Sequence, residues 1–562
     1  MHRPSHVLNT PAKGAERLTD PVALFGGKVS PFRARKRPSG RLRCCMRGLA
    51  SFARTCPLVM PRKMRRVSAS VRLLVRFGFF WILLVALRAH PATWRTLPET
   101  FFGANCEFYE HGLYFGTLSQ QAPGSRRAEL LALMRDSGIR SLRFPGGTCA
   151  NLYFWDSEAA TRLAAWAASQ TDQGLGYWLN PSPGSFMYNY YTPVDAFLDF
   201  CRAARIEPVI QVNTVTCFYR NRLWLLAPVA KGKNLLDEAL FYDPAEDVMT
   251  PAVESLRRLV RHCRACGTPV RCWEIGNEEY GCPALVPERY AEIASAYTKA
   301  IKGEDQRAQV MVTLGHGPIV DDSDGTRTWA AQVLRRLAEL GMGEQIDFFT
   351  LHYCGAAAVR SALGLLRQHG FGRARIAVTE FTCGWPDYWA KTPRYEHALS
   401  VAELLMELVR IPEVEKAMIH DLLSQNFGVY HYNMRPFGFP DARSYDPTLG
   451  YVATPTAITF RLARVLHGAE IKTDSPEPCR LEGRRGNAYC GLFVNRTDKD
   501  RECPVVFRDL GLRPQDLVLT TMRAEDLAAT EVSLSETRIR THEPAVQVRV
   551  PPYSLVAVAG RL

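Results

Sequence analysis

The segment Arg271-Cys272-Trp273-Glu274-Ile275-Gly276-Asn277-Glu278 is a short apolar run that ends in a polar cluster. A second run of the same kind, Arg375-Ile376-Ala377-Val378-Thr379-Glu380-Phe381, reaches a carboxylate at Glu380, 102 residues after Glu278. Each reads as a strand buried on both faces that stops at a polar residue, which is how barrel strands deliver side chains to a shared mouth. One glutamate at one strand end is more often solvated or salt-bridged than functional. Two of them carry weight because the rest of the chain supplies the other strands.

Working outward, apolar runs at Thr100–Glu107, Gly138–Phe144, Ile206–Asn213, Val270–Asn277, Gln309–Leu314, Ile346–His352, Ala374–Glu380 and Glu415–His420 alternate with amphipathic stretches such as Ser125–Asp136, Val194–Ala204, Pro251–Ala265, Pro287–Lys302, Trp329–Leu340 and Glu396–Arg410. A last helical pattern follows at Pro455–Leu466. Apolar strand runs separated by helices are the mark of βα units around a parallel sheet. Eight of them with a closing helix predict an α/β fold, a (β/α)8 TIM barrel over residues 93–467. The stretches 157–192 and 214–248 are oversized loops rich in Tyr, Trp and Phe. Loops after barrel strands lie on the active face, where such rings suit sugar stacking; packing the insertions onto the barrel would use them equally well. From residue 468 onward short runs recur between turn signals, at Ala488–Asn495, Cys503–Arg508, Leu517–Thr521, Ala545–Val550 and Tyr553–Ala559. These predict a C-terminal antiparallel β-sandwich over 468–562.

The chain of 562 residues has a formal net charge of +14, but the charge is unevenly placed. Residues 1–76 hold 18 Lys or Arg against two acids, leaving 52 bases and 54 acids for the remainder. The folded part is therefore close to neutral, and no nucleic-acid partner is expected. Residues 1–63 read as a disordered basic leader, or as an annotation artefact if Met64 is the true start. Within 64–92 a basic flank precedes the uncharged apolar run Phe77–Leu87, the pattern of a signal peptide. A secreted or periplasmic protein follows from it, or a membrane-anchored one if residues 77–87 stay uncleaved.

Thirteen of the 16 cysteines lie after the leader, several beside strand ends where buried free thiols are common. Cys263-x-x-Cys266 has the spacing of a metal or redox motif, but no second pair or His set completes it in the sequence. It reads as a pair of helix-face or disulfide residues, so no metal and no cofactor are expected.

At their carboxyl ends the strands carry Glu107, Arg143, Asn213, Asn277 with Glu278, His352 with Tyr353, Glu380, and His420 with Asp421. A pair of carboxylates at one mouth is what glycosidic-bond cleavage requires. A carboxylate that attacks carbon must stay ionised, and Arg143 and Tyr353 are the candidates to hold Glu380 in that state. Glu278, after apolar Trp273 and Ile275, suits the proton donor. Glu279 follows it and should point to the opposite face, as a solvated or salt-bridged loop residue. Separations near 5–5.5 Å give retention and 6.5–9.5 Å inversion, a distance that sequence does not supply.

At these residues the chain resembles the clan A glycoside hydrolases, and among them glycoside hydrolase family 51, the α-L-arabinofuranosidases. Leu142-Arg143-Phe144-Pro145-Gly146-Gly147, Trp273–Glu278 and Gly103-Ala104-Asn105-Cys106-Glu107 carry the likeness. The resemblance implies a retaining glycoside hydrolase acting on a carbohydrate, with Glu278 as acid/base and Glu380 as nucleophile. It also implies Arg143 supporting Glu380, His352 and Tyr353 beside it, and Asn277 and Glu107 on substrate hydroxyls. Thr148 stands where that family has Asn, and Val378-Thr379-Glu380-Phe381 replaces its Asp-Glu-Trp, so the sugar is open: β-xylosides, β-glucuronides and β-glucans are cleaved by related families. A glycan-binding barrel without catalysis, and a metal-dependent hydrolase built on His352, His420 and Asp421, are the alternatives from other classes.

Overall fold

The computed structural model describes residues 93–106, 127–147, 150, 153, 155, 193–214, 249–281, 285–384, 392–424, 428–432, 451–475 and 477–561. The leader, the 77–87 run, Glu107, and nearly all of the two aromatic loops lie outside these residues. Among the described residues no helix is long and apolar enough to cross a membrane.

Strand β1 (Trp94–Thr96) precedes a closed barrel of eight parallel strands. These are β2 (Phe102–Asn105), β3 (Ser141–Phe144), β4 (Glu207–Val212), β5 (Cys272–Ile275), β6 (Gln309–His316), β7 (Phe348–His352), β8 (Arg375–Phe381) and β9 (Val414–Ile419). All eight predicted runs form strands, and the barrel closes by β2 pairing with β9. Helices Arg127–Ser137, Val194–Ala204, Met249–Ala265, Pro287–Glu304, Thr326–Glu339, Ala356–Gln368 and Tyr395–Val409 connect them. Val194–Ala204 shows why: Phe197, Leu198 and Cys201 recur at helical spacing and are all buried.

The barrel interior is layered. Val209, Cys272, Met311, Phe348, Ala377 and Met418 form a small sealed apolar cluster of their own. Two residues further along β4, β5 and β8, on the same face, stand Gln211, Glu274 and Thr379, and Asn105 of β2 and Arg143 of β3 are buried with them. The change from apolar to polar within one side-chain period moves the hydrogen-bonding groups to the carboxyl end of the barrel. Ladder irregularities mark that end. The β7–β8 register shifts so that Leu351 pairs with Val378 but His352 pairs with Glu380. A bulge of this kind re-aims side chains; here it sets His352 beside Glu380 and turns the Thr379 carbonyl to the amide of Asn105, at 2.9 Å.

After β9 come a small sheet of β10 (Leu423–Ser424), β11 (Tyr430–Tyr432) and β12 (Tyr451–Ala453), then the helix Pro455–Ala463. The remaining strands are β13 (Glu470–Lys472), β14 (Arg480–Arg485), β15 (Ala488–Asn495), β16 (Arg501–Val506), β17 (Asp516–Arg523), β18 (Ser533–Ile539), β19 (Ala545–Val550) and β20 (Ser554–Arg561). They build an antiparallel seven-stranded sheet in the order β1-β13-β14-β15-β20-β17-β18, faced by the pair β16-β19. Tyr489, Phe493, Val505, Val548, Val556 and Val558 belong to the core between them. Strand β1 thus joins this sheet although it precedes the barrel. Arg95 on it donates to the carbonyls of Val409 (3.1 Å), Ile411 (2.7 Å) and Val414 (2.6 Å). Those groups are the last carbonyls of a helix and the entry to β9, which a cation satisfies well. Tyr395 adds a second tie, its hydroxyl lying 2.8 Å from the Met522 carbonyl and 2.7 Å from that of Tyr553.

Candidate active site

Arg143, at the third residue of β3, is fully buried and organises the carboxyl end of the barrel. Its Nε donates to Glu274. Nη1 donates to Asn105 Oδ1 at 2.7 Å and to Glu380 Oε1 at 2.6 Å, and Nη2 donates to Asn277 Oδ1 at 2.8 Å. Four side chains on or just beyond three other strands, β2, β5 and β8, are therefore tied to one guanidinium, whose planar fork suits such multiple contacts. A buried cation is tolerated only when paired and hydrogen-bonded; here two carboxylates and two amide oxygens do both.

Glu380 receives three cations or potential cations. Besides Arg143, His352 Nδ1 stands 3.8 Å and His420 Nδ1 3.6 Å from its Oε2, and the Tyr353 hydroxyl donates to the same oxygen at 3.1 Å. Burial alone would raise this carboxyl; His352, Arg143 and His420 overcome it and hold Glu380 at about 2. His352 is pushed the other way. Burial lowers it, but the charge of Glu380 and its bonds to Glu274 and Glu278 take it up to about 10. As a cation it donates from both ring nitrogens: Nδ1 to Glu278 Oε1 at 2.9 Å, Nε2 to Thr379 Oγ1 at 3.1 Å. Thr379 passes its own hydrogen to Glu274 Oε1 at 2.9 Å.

Glu278 lies just beyond β5, with φ 54°. A left-handed backbone at a residue with a long side chain is held by its surroundings, and such outliers gather at functional sites. Its Oε1 accepts from the Tyr280 hydroxyl at 2.8 Å as well as from His352, and the side chain remains one-third exposed. Tyr353, with φ 45°, repeats the pattern after β7. One atom each of Glu278, His352 and Glu380 lies within 4.8 Å of the others, so the two glutamates present oxygens to one point.

Gly276 explains how the strand lets go of Glu278. It has φ 80°, and a Cβ there would stand 1.6 Å from Glu279 Oε1. Ile275 gives its carbonyl to the Tyr290 hydroxyl at 2.8 Å, which also accepts from Thr313 N at 2.9 Å. Glu279 departs from expectation: it is buried, neither solvated nor salt-bridged. It accepts from Thr214 Oγ1 at 2.8 Å and from Asn277 N at 2.7 Å, and burial pushes it up to about 7. Its role is to hold the turn that carries Asn277 and Glu278.

Six of the expected site residues therefore converge: Arg143, Asn277, Glu278, His352, Tyr353 and Glu380. Asn213 lies just beyond β4, where its carbonyl accepts from the Tyr297 hydroxyl at 2.9 Å. Glu107 lies outside the described residues. His352, His420 and Asp421 do not gather three ligand atoms at one point among the described residues. Sequence reasoning passed over Glu274, Asn105, Thr379, Gln211 and Tyr280. Glu274 carried a usable signal, since a carboxylate in the middle of a doubly buried strand demands a buried cation, and Arg143 sits in the middle of another. Gln211, which donates to Asn277 Oδ1 at 2.9 Å, carried none.

No protein-family profile matches the chain. A probable α-L-arabinofuranosidase C of Aspergillus terreus is 25% identical over 221 residues, covering 37% of this chain and 35% of that protein. The chain thus spans about a third of the length of that curated relative. Among solved structures, a family 51 α-L-arabinofuranosidase from Thermotoga petrophila superimposes with a TM-score of 0.57 at 17% identity, over 84% of this chain and 98% of the other. A monomeric β-xylosidase from Caulobacter crescentus gives 0.52 at 12% identity, with the same coverage of each chain. In fold and in sequence the chain resembles the clan A glycoside hydrolases, and within them the family 51 α-L-arabinofuranosidases.

Proposed function

We propose that this protein is a retaining glycoside hydrolase that cleaves glycosidic bonds in an oligosaccharide or polysaccharide, in the manner of an α-L-arabinofuranosidase. One observation carries the reading: oxygens of Glu278 and Glu380 come within 4.8 Å of each other over a shared histidine, with Glu380 held ionised by Arg143. So close an approach of two oxygens supports double displacement, because inversion needs a wider gap to admit water between the carboxyl groups.

In the first step Glu380 attacks the anomeric carbon through Oε2, the oxygen free of Arg143. The glycosidic C–O bond breaks, its electron pair stays on the leaving oxygen, and Glu278 protonates that oxygen. In the second step Glu278 takes a proton from water, the hydroxide attacks the anomeric carbon, and the ester bond to Glu380 breaks, restoring the carboxylate. Arg143 keeps Oε1 in place through both steps. Asn277 has its oxygen committed to Arg143 and Gln211, so its amide hydrogens are what it offers a sugar hydroxyl. Glu107 and Asn213 are proposed as further hydroxyl contacts, from their places beyond β2 and β4.

Kinetics on aryl glycosides test the assignment. Glu380→Ala should lose turnover of every substrate. Glu278→Ala should keep substrates with good leaving groups and lose those with poor ones, and the first-formed product should retain its anomeric configuration by NMR. Wild-type rates in both variants, or inverted product, would overturn the reading. Thr148 in place of the family's Asn favours a second reading at the level of the sugar, a β-xylosidase or other clan A β-glycosidase, which the same substrate panel separates. We also propose export, on the basic-flanked run 77–87; recovery of the protein only from the cytosolic fraction would refute it.

A further inference from the structure

A second group of metal-ligating side chains lies on the helices outside the barrel, away from the two glutamates. Met249–Ala265 ends in a turn that continues its spacing, since the Cys266 amide still donates to the His262 carbonyl at 3.1 Å. His262 and Cys266 are thus four residues apart on one helical face, the spacing at which two side chains meet. Asp195, the second residue of the neighbouring helix Val194–Ala204, faces them. Three ligand types converge: His262 Nε2 to Asp195 Oδ1 is 2.6 Å, Cys266 Sγ to Asp195 Oδ1 is 3.1 Å, and Cys266 Sγ to His262 Nε2 is 3.5 Å.

Those contacts have an ordinary reading as a hydrogen-bonded trio, but their geometry does more. Both the thiol and the carboxylate address the same ring nitrogen, so the trio is no nucleophilic relay, which would place them on opposite nitrogens. The three atoms form a triangle with a circumradius of about 1.8 Å; a point about 1.2 Å above its plane is about 2.2 Å from each, within the range of zinc–nitrogen, zinc–oxygen and zinc–sulfur bonds. The tight side is Asp195–His262, and it would open toward about 3.3 Å in a tetrahedral site. Asp195 is well exposed and His262 partly so, which leaves them room to do that. The imidazole is already seated: the Trp155 ring lies against it at 5.5 Å, and Trp155 Nε1 is fixed on Ser255 Oγ at 3.3 Å.

We propose that Asp195, His262 and Cys266 bind a zinc ion, with a water as fourth ligand, and that the ion ties two barrel helices together. Sulfur, imidazole and carboxylate together suit zinc over magnesium or calcium, which take oxygen ligands. Binding displaces the thiol proton, so affinity should fall as the pH is lowered. The ion would bear on stability and not on bond cleavage, because it sits on the outer helices.

Cobalt(II) is the probe, used on the full chain with its thiols reduced. One equivalent should give a thiolate-to-cobalt charge-transfer band and tetrahedral d–d absorption, and zinc should bleach both. Cys266→Ser should lose the charge-transfer band, and Asp195→Asn should weaken cobalt binding at least tenfold. Zinc should raise the Tm of the wild type and leave that of Cys266→Ser unmoved. The proposal fails if the wild type shows no such band, or if Cys266→Ser keeps it at the same stoichiometry, which would assign the metal to other thiols. It fails equally if zinc raises both melting temperatures alike.

Discussion

Glu380 and Glu278 are the same side chain one oxygen contact apart, yet the protein surrounds them oppositely. Glu380 is buried on a strand, gripped by Arg143 through one oxygen and faced by two histidines and a tyrosine through the other. Glu278 stands off the strand end on a left-handed backbone, partly open to solvent, with His352 and Tyr280 on a single oxygen. The first environment fixes charge and position. The second leaves a group that can exchange a proton with whatever enters. His352 is hydrogen-bonded to Glu278 and charge-coupled to Glu380, so the contrast is held together there.

Removing the cation on the Glu380 side should break the contrast most completely. Arg143→Met would leave Glu274 and Glu380 buried without their guanidinium, a loss of about 3–5 kcal/mol of stability. Activity on aryl glycosides should fall by about 10³-fold or more, since Glu380 would no longer be held ionised and in place. Chemical denaturation and steady-state kinetics check both. A stable Arg143→Met protein with near-normal kcat would show that the histidines suffice.

Glu274→Gln should act on the same side with less force. The Gln amide offers one acceptor oxygen where Glu274 uses two, for Arg143 and for Thr379, so one buried donor loses its partner at a cost of about 1–3 kcal/mol. We expect kcat to fall on the order of tenfold, about 1.4 kcal/mol of barrier, with KM unchanged, because Glu274 lies beneath the site and not in it. A rise in KM at constant kcat would instead make it a substrate contact.

The two sides also differ in how much of them could be read from the sequence. The Glu380 side was readable as types: a cation at the end of one strand, a carboxylate at the end of another, eight apolar runs between turns. It was not readable as geometry, because the bulge that pairs His352 with Glu380 leaves no mark in the composition of either strand. The position of Glu279 was misread because strand alternation was carried past Gly276, where the backbone has already left the strand. The eight barrel strands and β15, β16, β17, β19 and β20 were found to within a few residues, but β14, Arg480–Arg485, was missed although Leu481 on it is buried. Strand β18, Ser533–Ile539, was missed too, since as an edge strand it is exposed along its length and lacks an apolar alternation. Strand β1 is only three residues long and pairs with β13 far away in sequence, which no local pattern reports. Asp195 and Cys266, 71 residues apart, meet only because consecutive barrel helices pack side by side.

Protonation sharpens the comparison, because the two linked groups lose their stabilising charge at opposite ends of the pH scale. His352 is raised from its ordinary 6.5 to about 10, so its contribution is fully present below about 6.5 and is lost as pH climbs toward 10. Glu380 is lowered from 4.5 to about 2, so its contribution is present above 4.5 and is lost as pH falls toward 2. Tm measured across pH should therefore be flat between about 4.5 and 6.5 as far as these groups decide it, falling on both sides. His352→Gln should lower the plateau, remove most of the alkaline slope and shrink the acid slope, because the charge of His352 is also the first of those that hold Glu380 down. An unchanged alkaline slope in that variant would place the titrating group elsewhere.

The smallest effect is expected from the Glu278 side, and it tests whether that side is tuned at all. Tyr280 donates to Glu278 Oε1, and its ring stacks on His316 at 4.7 Å with an interplanar angle of 5°. His316 is in turn paired with Asp324 at 2.6 Å. The phenol is thus clamped from behind, and it aims one hydrogen at the proton-exchanging carboxyl. Tyr280→Phe keeps the stack and deletes only that hydrogen, so stability should change by about 1 kcal/mol or less. The lost donor removes one of the two hydrogen bonds that place Oε1, so turnover of substrates with poor leaving groups, which need Glu278 as proton donor, should fall by no more than about tenfold while substrates with good leaving groups keep their rate. An equal fall on both kinds of substrate would show that Tyr280 supports the pocket as a whole instead of placing the oxygen of Glu278.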